Sequence, residues 1–168
     1  MDRAALQAVQ KPLKDRYREE PGSALVTLRA DGELDAEHIA CKVETGRALV
    51  EAGLHPASGG TGTLACSGDM LLEALVACAG VTLRAVATAM ELAVSGSIHA
   101  EGDLDFRGTL GVDREAPVGF TEIRLRFDLA SDASEEELAK LLERTERYCV
   151  VFQTLAGGVP VELAYSTA

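Results

Sequence analysis

Two thiols far apart in the chain, Cys78 and Cys149, are the residues best suited to chemistry. Cys78 lies in DMLLEALVACAGVTLRAVATAMEL, residues 69 to 92, and Cys149 in ERYCVVFQTL. A thiolate that attacks an oxidant becomes a sulfenic acid, and a second thiol that reaches it closes a disulfide with loss of water. A pair remote in sequence and adjacent in space is what such a two-cysteine cycle needs. The competing reading is that free cysteine is among the most buried residue types and packs as a small hydrophobe. For Cys41, which alternates with Ile39 and Val43 on one strand face, the core reading is the favoured one. Cys66 precedes Cys78 by about 18 Å if a straight helix joins them, well beyond the ~7 Å between Cα atoms that a disulfide spans.

The elements that must position these thiols follow from periodicity. Residues 69 to 92 contain no proline, and their only charges are Asp69, Glu73, Arg84 and Glu91. At about 100° per residue these charges and Gly80 share a stripe about 60° wide, and the rest of the cylinder is apolar or small. The pattern predicts a long central helix buried nearly all round. Cys78, about 180° from Asp69, would sit at the centre of its apolar face. Cys149 ends the stripe Leu138, Leu141, Leu142, Thr145 of a second helix, which opens at Ser134 with Glu137 completing a capping box.

Around these two helices the chain reads as short strands. SALVTLR, EHIACKV and RALVEAGL are separated by turns at ADGELD and ETG, and a Gly-rich loop, HPASGGTGTLACSG, leads into the central helix with Ser67 as its N-cap. VSGSIHAEGDLDFRGTLGVD reads as an antiparallel strand pair around a turn. In APVGFTEIRLRFDLA, Phe120, Ile123, Leu125, Phe127 and Leu129 line one face while Glu122, Arg124, Arg126 and Asp128 line the other. A closing strand is expected in VPVELAYS. The order β-β-β-α-β-β-α-β is that of an α+β chain. Ahead of it, Leu6, Val9, Leu13 and Tyr17 form a helical stripe interrupted by Pro12, which predicts a short helix from Pro12 or two pieces. Residues 1–22 are thus expected as a helical arm and 23–168 as one domain.

A formal charge of −11 and a pI near 4.7 argue against nucleic acid and anionic membrane surfaces as partners. The four cysteines form no Cys-x-x-Cys and the three histidines are scattered, so no zinc, haem or other cofactor is expected. No apolar run approaching the ~18 residues of a membrane span and no secretory leader are read in the sequence, which gives the expectation of a cytoplasmic protein.

HPASGGTGTLACSGDMLLEALVAC, followed roughly seventy residues later by RYCVVFQTL, resembles the osmotically induced (OsmC) and organic hydroperoxide resistance (Ohr) superfamily of thiol peroxidases. The resemblance covers roughly residues 24 to 168 and is strongest over 55 to 84. It implies an OsmC/Ohr-like fold, with antiparallel sheets packed on a long buried central helix in an intertwined homodimer. It implies that Cys78 attacks an alkyl or lipid hydroperoxide in oxidative-stress defence, that Cys149 resolves the oxidised sulfur, and that a dithiol such as a lipoyl group, or a small thiol, restores the pair. A family arginine that activates the thiolate best matches Arg29, with Arg47 as the alternative. The family's proline and glutamate at the helix start are replaced here by Ser67 and Gly68, which leaves Asp69 as the acid to orient the arginine. The family's Cys-Pro-x-Ser reads Cys149-Val150-Val151-Phe152. The departures keep open a second class of function, an OsmC-like protein that binds a small apolar or electrophilic ligand without turnover.

Overall fold

A computed structural model describes residues 2–19, 31–34, 40–44, 49–111 and 113–167. Its helices are α1 (Arg3–Glu19), α2 (Ser67–Ala89), the single turn α3 (Phe106–Thr109), α4 (Glu135–Tyr148) and α5 (Val150–Gly157). The strands are β1 (Asp31–Leu34), β2 (Ala40–Glu44), β3 (Leu49–Gly53), β4 (Ala65–Cys66), β5 (Ser95–Leu104) and β6 (Phe120–Ala130). Strands β1 to β3 form an antiparallel meander, and β4 joins β3 in parallel immediately before α2 begins. A separate antiparallel ribbon pairs β5 with β6, with Ile98 opposite Phe127 and Ala100 opposite Leu125.

The alternation in β6 does what its pattern predicts. Ile123, Leu125, Phe127 and Leu129 turn inward onto α2 and α4, while the outer face carries charge. There Arg124 holds Asp103 across the ribbon with a 2.9 Å hydrogen bond, and Arg126 reaches Asp128 at 2.9 Å. The core forms where α2, α4 and the ribbon meet: Leu83, Ala87, Val94 and Leu141 are buried and are covered by Val86, Met90, Phe127, Leu129, Leu138 and Leu142. Gly80 allows α2 to lie close on β5, since a Cβ at that position would stand 3.1 Å from Ile98 Cδ1.

Helix α4 opens as its sequence requires. Ser134 Oγ accepts from the Glu137 N–H at 3.3 Å, and the Glu137 carboxylate accepts from the Ser134 N–H at 2.9 Å, the reciprocal capping box. At α2 the cap differs from expectation: Cys66 occupies the N-cap position and supplies no side-chain hydrogen bond, so Ser67 is the first helical residue. Helix α1 runs unbroken through Pro12 instead of starting there, and Arg3 ties it to the far end of α2 through a 2.7 Å ion pair with Glu91.

Other expectations are corrected. Residues 31–34, placed in a turn by the Asp-Gly pair, form strand β1, because the register aligns Gly32 with Val43. The strand pair expected in residues 94–113 is one ten-residue strand, β5, whose partner is β6. The expected closing strand does not form: residues 159–167 take no regular structure and are exposed, and none of the described strands pairs with them. Helix α2 has a mean hydropathy of 1.8 over its most apolar stretch and is long and apolar enough to cross a membrane, contrary to the absence of such a run expected from the sequence. In this fold it packs on α4, α5 and β5 and carries the core stripe. Nor is it buried all round within one chain: the stripe Leu75, Ala79, Leu83 and Ala87 is buried, but Val81 is 73% exposed.

Candidate active site

Cys78 and Cys149 meet. The stripe that buries Leu75 and Ala79 leaves Cys78 beside it, half-buried and facing the junction between α4 and α5 rather than centred on the buried face. Cys149 is that junction. It is the C-cap of α4 and the N-cap of α5, 1% exposed, with an extended backbone at φ −74°, ψ 107° that turns the chain from one helix into the next. Its position continues the buried stripe of Leu141 and Thr145, and the Thr145 hydroxyl is satisfied internally by donating to the Leu141 carbonyl at 2.8 Å.

A helix leaves its first N–H groups without intrahelical acceptors. In α5 the first to close is that of Gln153, which donates to the Cys149 carbonyl at 2.9 Å. The N–H groups of Val150, Val151 and Phe152 are left over at this end of the helix. They bear on the titration of the two thiols, Val150 and Val151 on Cys78, Phe152 and Val151 on Cys149.

These contacts set the two thiols apart. Burial pushes the Cys78 thiol up, but hydrogen bonds from the Val151 N–H, the Cys149 S–H, the Val150 N–H and the Thr82 hydroxyl outweigh it and hold the thiol below the usual cysteine range. Burial also pushes the Cys149 thiol up. The Phe152 N–H opposes this, but the hydrogen bond to Cys78 and repulsion from its negative charge add to the rise. Of the pair, Cys78 is the thiol pushed toward its thiolate form and Cys149 the one held toward its protonated form. A thiolate is the nucleophilic form of cysteine.

Beside Cys149 lies a cavity of about 170 Å³, lined by Ala79, Leu125, Phe127, Leu142, Thr145 and Phe152, with exposed Glu146 as its single charged residue. A larger open hollow of about 770 Å³ lies at the other end of α2 and has no thiol; its Arg84 is already engaged by the Val94 carbonyl at 2.7 Å.

The other residues implicated by the sequence fall elsewhere. Asp69 is exposed on the first turn of α2, about 13 Å along the helix axis from Cys78, and has no hydrogen-bond or ion-pair partner among the described residues. Arg29 and its alternative Arg47 lie outside the described residues. Cys66, at the start of the same continuous helix as Cys78, is roughly 18 Å from it along the axis. Sequence reasoning missed Thr82, although its spacing of one turn from Cys78 was a usable signal. It also missed the α5 amides, which become visible only once the break at Cys149 is known.

The profile of the OsmC-like protein family matches residues 60–164, which includes both thiols, most of the lead-in loop and the ribbon. The chain belongs to the OsmC-like family. Among solved structures, an OsmC-like protein from Mycoplasma pneumoniae superimposes with a TM-score of 0.66 at 19% identity, over 79% of this chain and 89% of that one. An organic hydroperoxide resistance protein from Legionella pneumophila gives 0.58 at 15% identity, over 80% and 92%. One from Elizabethkingia anophelis gives 0.56 at 16%, over 80% and 91%. At these identities the likeness speaks for the fold. Comparison with curated proteins gives no match.

Proposed function

We propose that this OsmC-like chain is a thiol peroxidase that reduces organic hydroperoxides with Cys78 and Cys149. The carrying observation is the juxtaposition of the two thiols at the junction of α4 and α5, with the titration of Cys78 lowered and that of Cys149 raised. The Cys78 thiolate attacks the terminal oxygen of the hydroperoxide: an S–O bond forms, the O–O bond breaks, and the alkoxide leaves and takes up a proton to become the alcohol. Cys149 then attacks the sulfenic sulfur, so that the S–S bond forms and the hydroxyl departs as water. A dithiol or small thiol returns two electrons and two protons to the disulfide. The apolar lining beside Cys149 favours substrates with a hydrocarbon group over hydrogen peroxide. Arg29, or Arg47, with Asp69 orienting it, remains the proposed cationic support for the thiolate.

The chain is also proposed to work as a homodimer. Val81 on α2 is 73% exposed, and in the tail Val161, Leu163 and Tyr165 are each about 90% exposed at strand-like alternation. Apolar surface of this extent is what a second copy would cover, with the tail adding to its sheet. Cytoplasmic location and the absence of membrane or nucleic-acid partners belong to the same proposal.

Steady-state turnover tests the enzymatic reading. With dihydrolipoamide as reductant, the protein should consume cumene hydroperoxide faster than hydrogen peroxide, and Cys78→Ser should abolish the reaction. Equal, slow consumption by wild type and Cys78→Ser would refute it.

A further inference from the structure

We propose that Gln153 is a positioning residue for Cys149, its side-chain amide latching α5 to the last turn of α4 across the break that Cys149 occupies. For a role in turnover this rests on the peroxidase reading, while the latch itself is a property of the fold. Cys149-Val150-Val151-Phe152 contains neither glycine nor proline, so no residue of the run forces α4 to stop. In an unbroken helix each N–H donates to the carbonyl four residues back. That ladder is interrupted here. The Cys149 N–H reaches the Thr145 carbonyl at 2.9 Å, and the next such bond is that of the Gln153 N–H to the Cys149 carbonyl, also 2.9 Å. The carbonyls of Glu146, Arg147 and Tyr148 thereby lose the N–H groups of Val150, Val151 and Phe152. Gln153 Nε2 donates into the first of these gaps, 3.0 Å from the Glu146 carbonyl oxygen. Gln153 thus holds the break twice, by its backbone on Cys149 and by its side chain on Glu146.

An unbroken helix is the competing arrangement. It would return a backbone donor to Glu146 and take Cys149 out of the extended conformation, φ −74° and ψ 107°, that turns α4 into α5. A disulfide tolerates little such movement, since it needs Cα atoms about 4.4–6.8 Å apart. By filling the Glu146 carbonyl, Gln153 removes part of what the unbroken helix would gain. Its side chain is exposed and outside the core, so it can be exchanged without disturbing the packing.

The test equilibrates the protein in glutathione buffers of graded composition, without peroxide, and reads the Cys78–Cys149 disulfide by mass spectrometry after acid quenching and alkylation. Each oxidised glutathione takes two electrons and two protons from the thiol pair and leaves as two reduced molecules. Gln153→Met keeps the length and helix preference of glutamine but has no N–H to give. Gln153→Arg restores a donor, because its Nε lies the same number of bonds from the backbone as glutamine Nε2. A neutral hydrogen bond corresponds to about two- to tenfold in an equilibrium constant, and the exposure of Gln153 places this one near the lower end. Gln153→Met should therefore lower the equilibrium constant for disulfide formation about threefold, while Gln153→Arg should match wild type and all three should share one circular dichroism spectrum. A Gln153→Met constant equal to that of wild type, a Gln153→Arg constant lowered as far as that of Gln153→Met, or a wild type that forms no Cys78–Cys149 disulfide would overturn the proposal. A wild type that closes the disulfide with glutathione yet is indifferent to cumene hydroperoxide would sink the enzymatic reading alone, with the latch still judged by the three constants.

Discussion

Replacing Cys149 separates its two roles, as resolving thiol and as hydrogen-bond donor to Cys78. Both Cys149→Ser and Cys149→Ala remove the resolving thiol, so peroxide should leave a Cys78 sulfenic acid that dimedone traps. The two variants differ in whether a donor remains. In the native protein Cys149 is 1% exposed and its thiol lowers the titration of Cys78 as a hydrogen-bond donor, so water cannot readily replace it. Hydrogen bonds to charged groups contribute about 1.5–3 kcal/mol, and S–H is a weak donor, which places this one near the lower bound. One decade of thiolate population corresponds to about 1.4 kcal/mol. The sign follows from the balance at Cys78: burial raises its titration and the donors lower it, so loss of a donor moves it upward. On the acid limb of the pH–rate profile for cumene hydroperoxide, followed by stopped flow, Cys149→Ala should therefore react about tenfold more slowly than Cys149→Ser, and the two should converge at high pH. Coincident profiles would refute the hydrogen bond between the sulfurs as a source of thiolate stabilisation.

Three further predictions concern the scaffold. Leu141 is fully buried between α4 and α2, so Leu141→Ala should lower unfolding stability by about 3–4 kcal/mol in a denaturant titration and slow disulfide formation by loosening α4. Ser134→Ala removes half of the α4 capping box and should cost about 1 kcal/mol by the same titration. Val81→Asp should convert the proposed dimer to a folded monomer by analytical ultracentrifugation, because Val81 is exposed within one chain. Leu75→Asp cannot serve that purpose, since Leu75 is 2% exposed inside the chain and its loss should prevent folding.

The helices that carry the two thiols were legible from periodicity. The stripe through Leu138, Leu141 and Thr145 led directly to Cys149, and the alternation from Ile123 to Leu129 read off β6 and its inner face. What escaped detection was structure that leaves little local mark. The break between α4 and α5 carries neither glycine nor proline, and Cys149-Val150-Val151-Phe152 reads as a continuous apolar run. The first N–H groups of α5, central to the site, have no side-chain signature at all. Strand β5 contains Gly96, Gly102 and Asp103, residues that suggest turns, yet cross-strand pairing with β6 keeps them extended. The composition of α2 signalled burial without saying by what, and the single chain covers only the stripe from Leu75 to Ala87. The alternation in Val159, Val161, Leu163 and Tyr165 likewise signals a strand, yet none of the described strands pairs with it.

The central claim is that Cys78 and Cys149 form one redox unit. The most direct test treats the fully reduced protein with one equivalent of cumene hydroperoxide and maps new disulfides by mass spectrometry, with Cys78→Ser as control. A rapid Cys78–Cys149 linkage, reversed by a dithiol and absent from the control, is the expected result. Four thiols left free, or slow oxidation spread over Cys41, Cys66, Cys78 and Cys149, would contradict it and favour a protein that binds an apolar ligand without turnover.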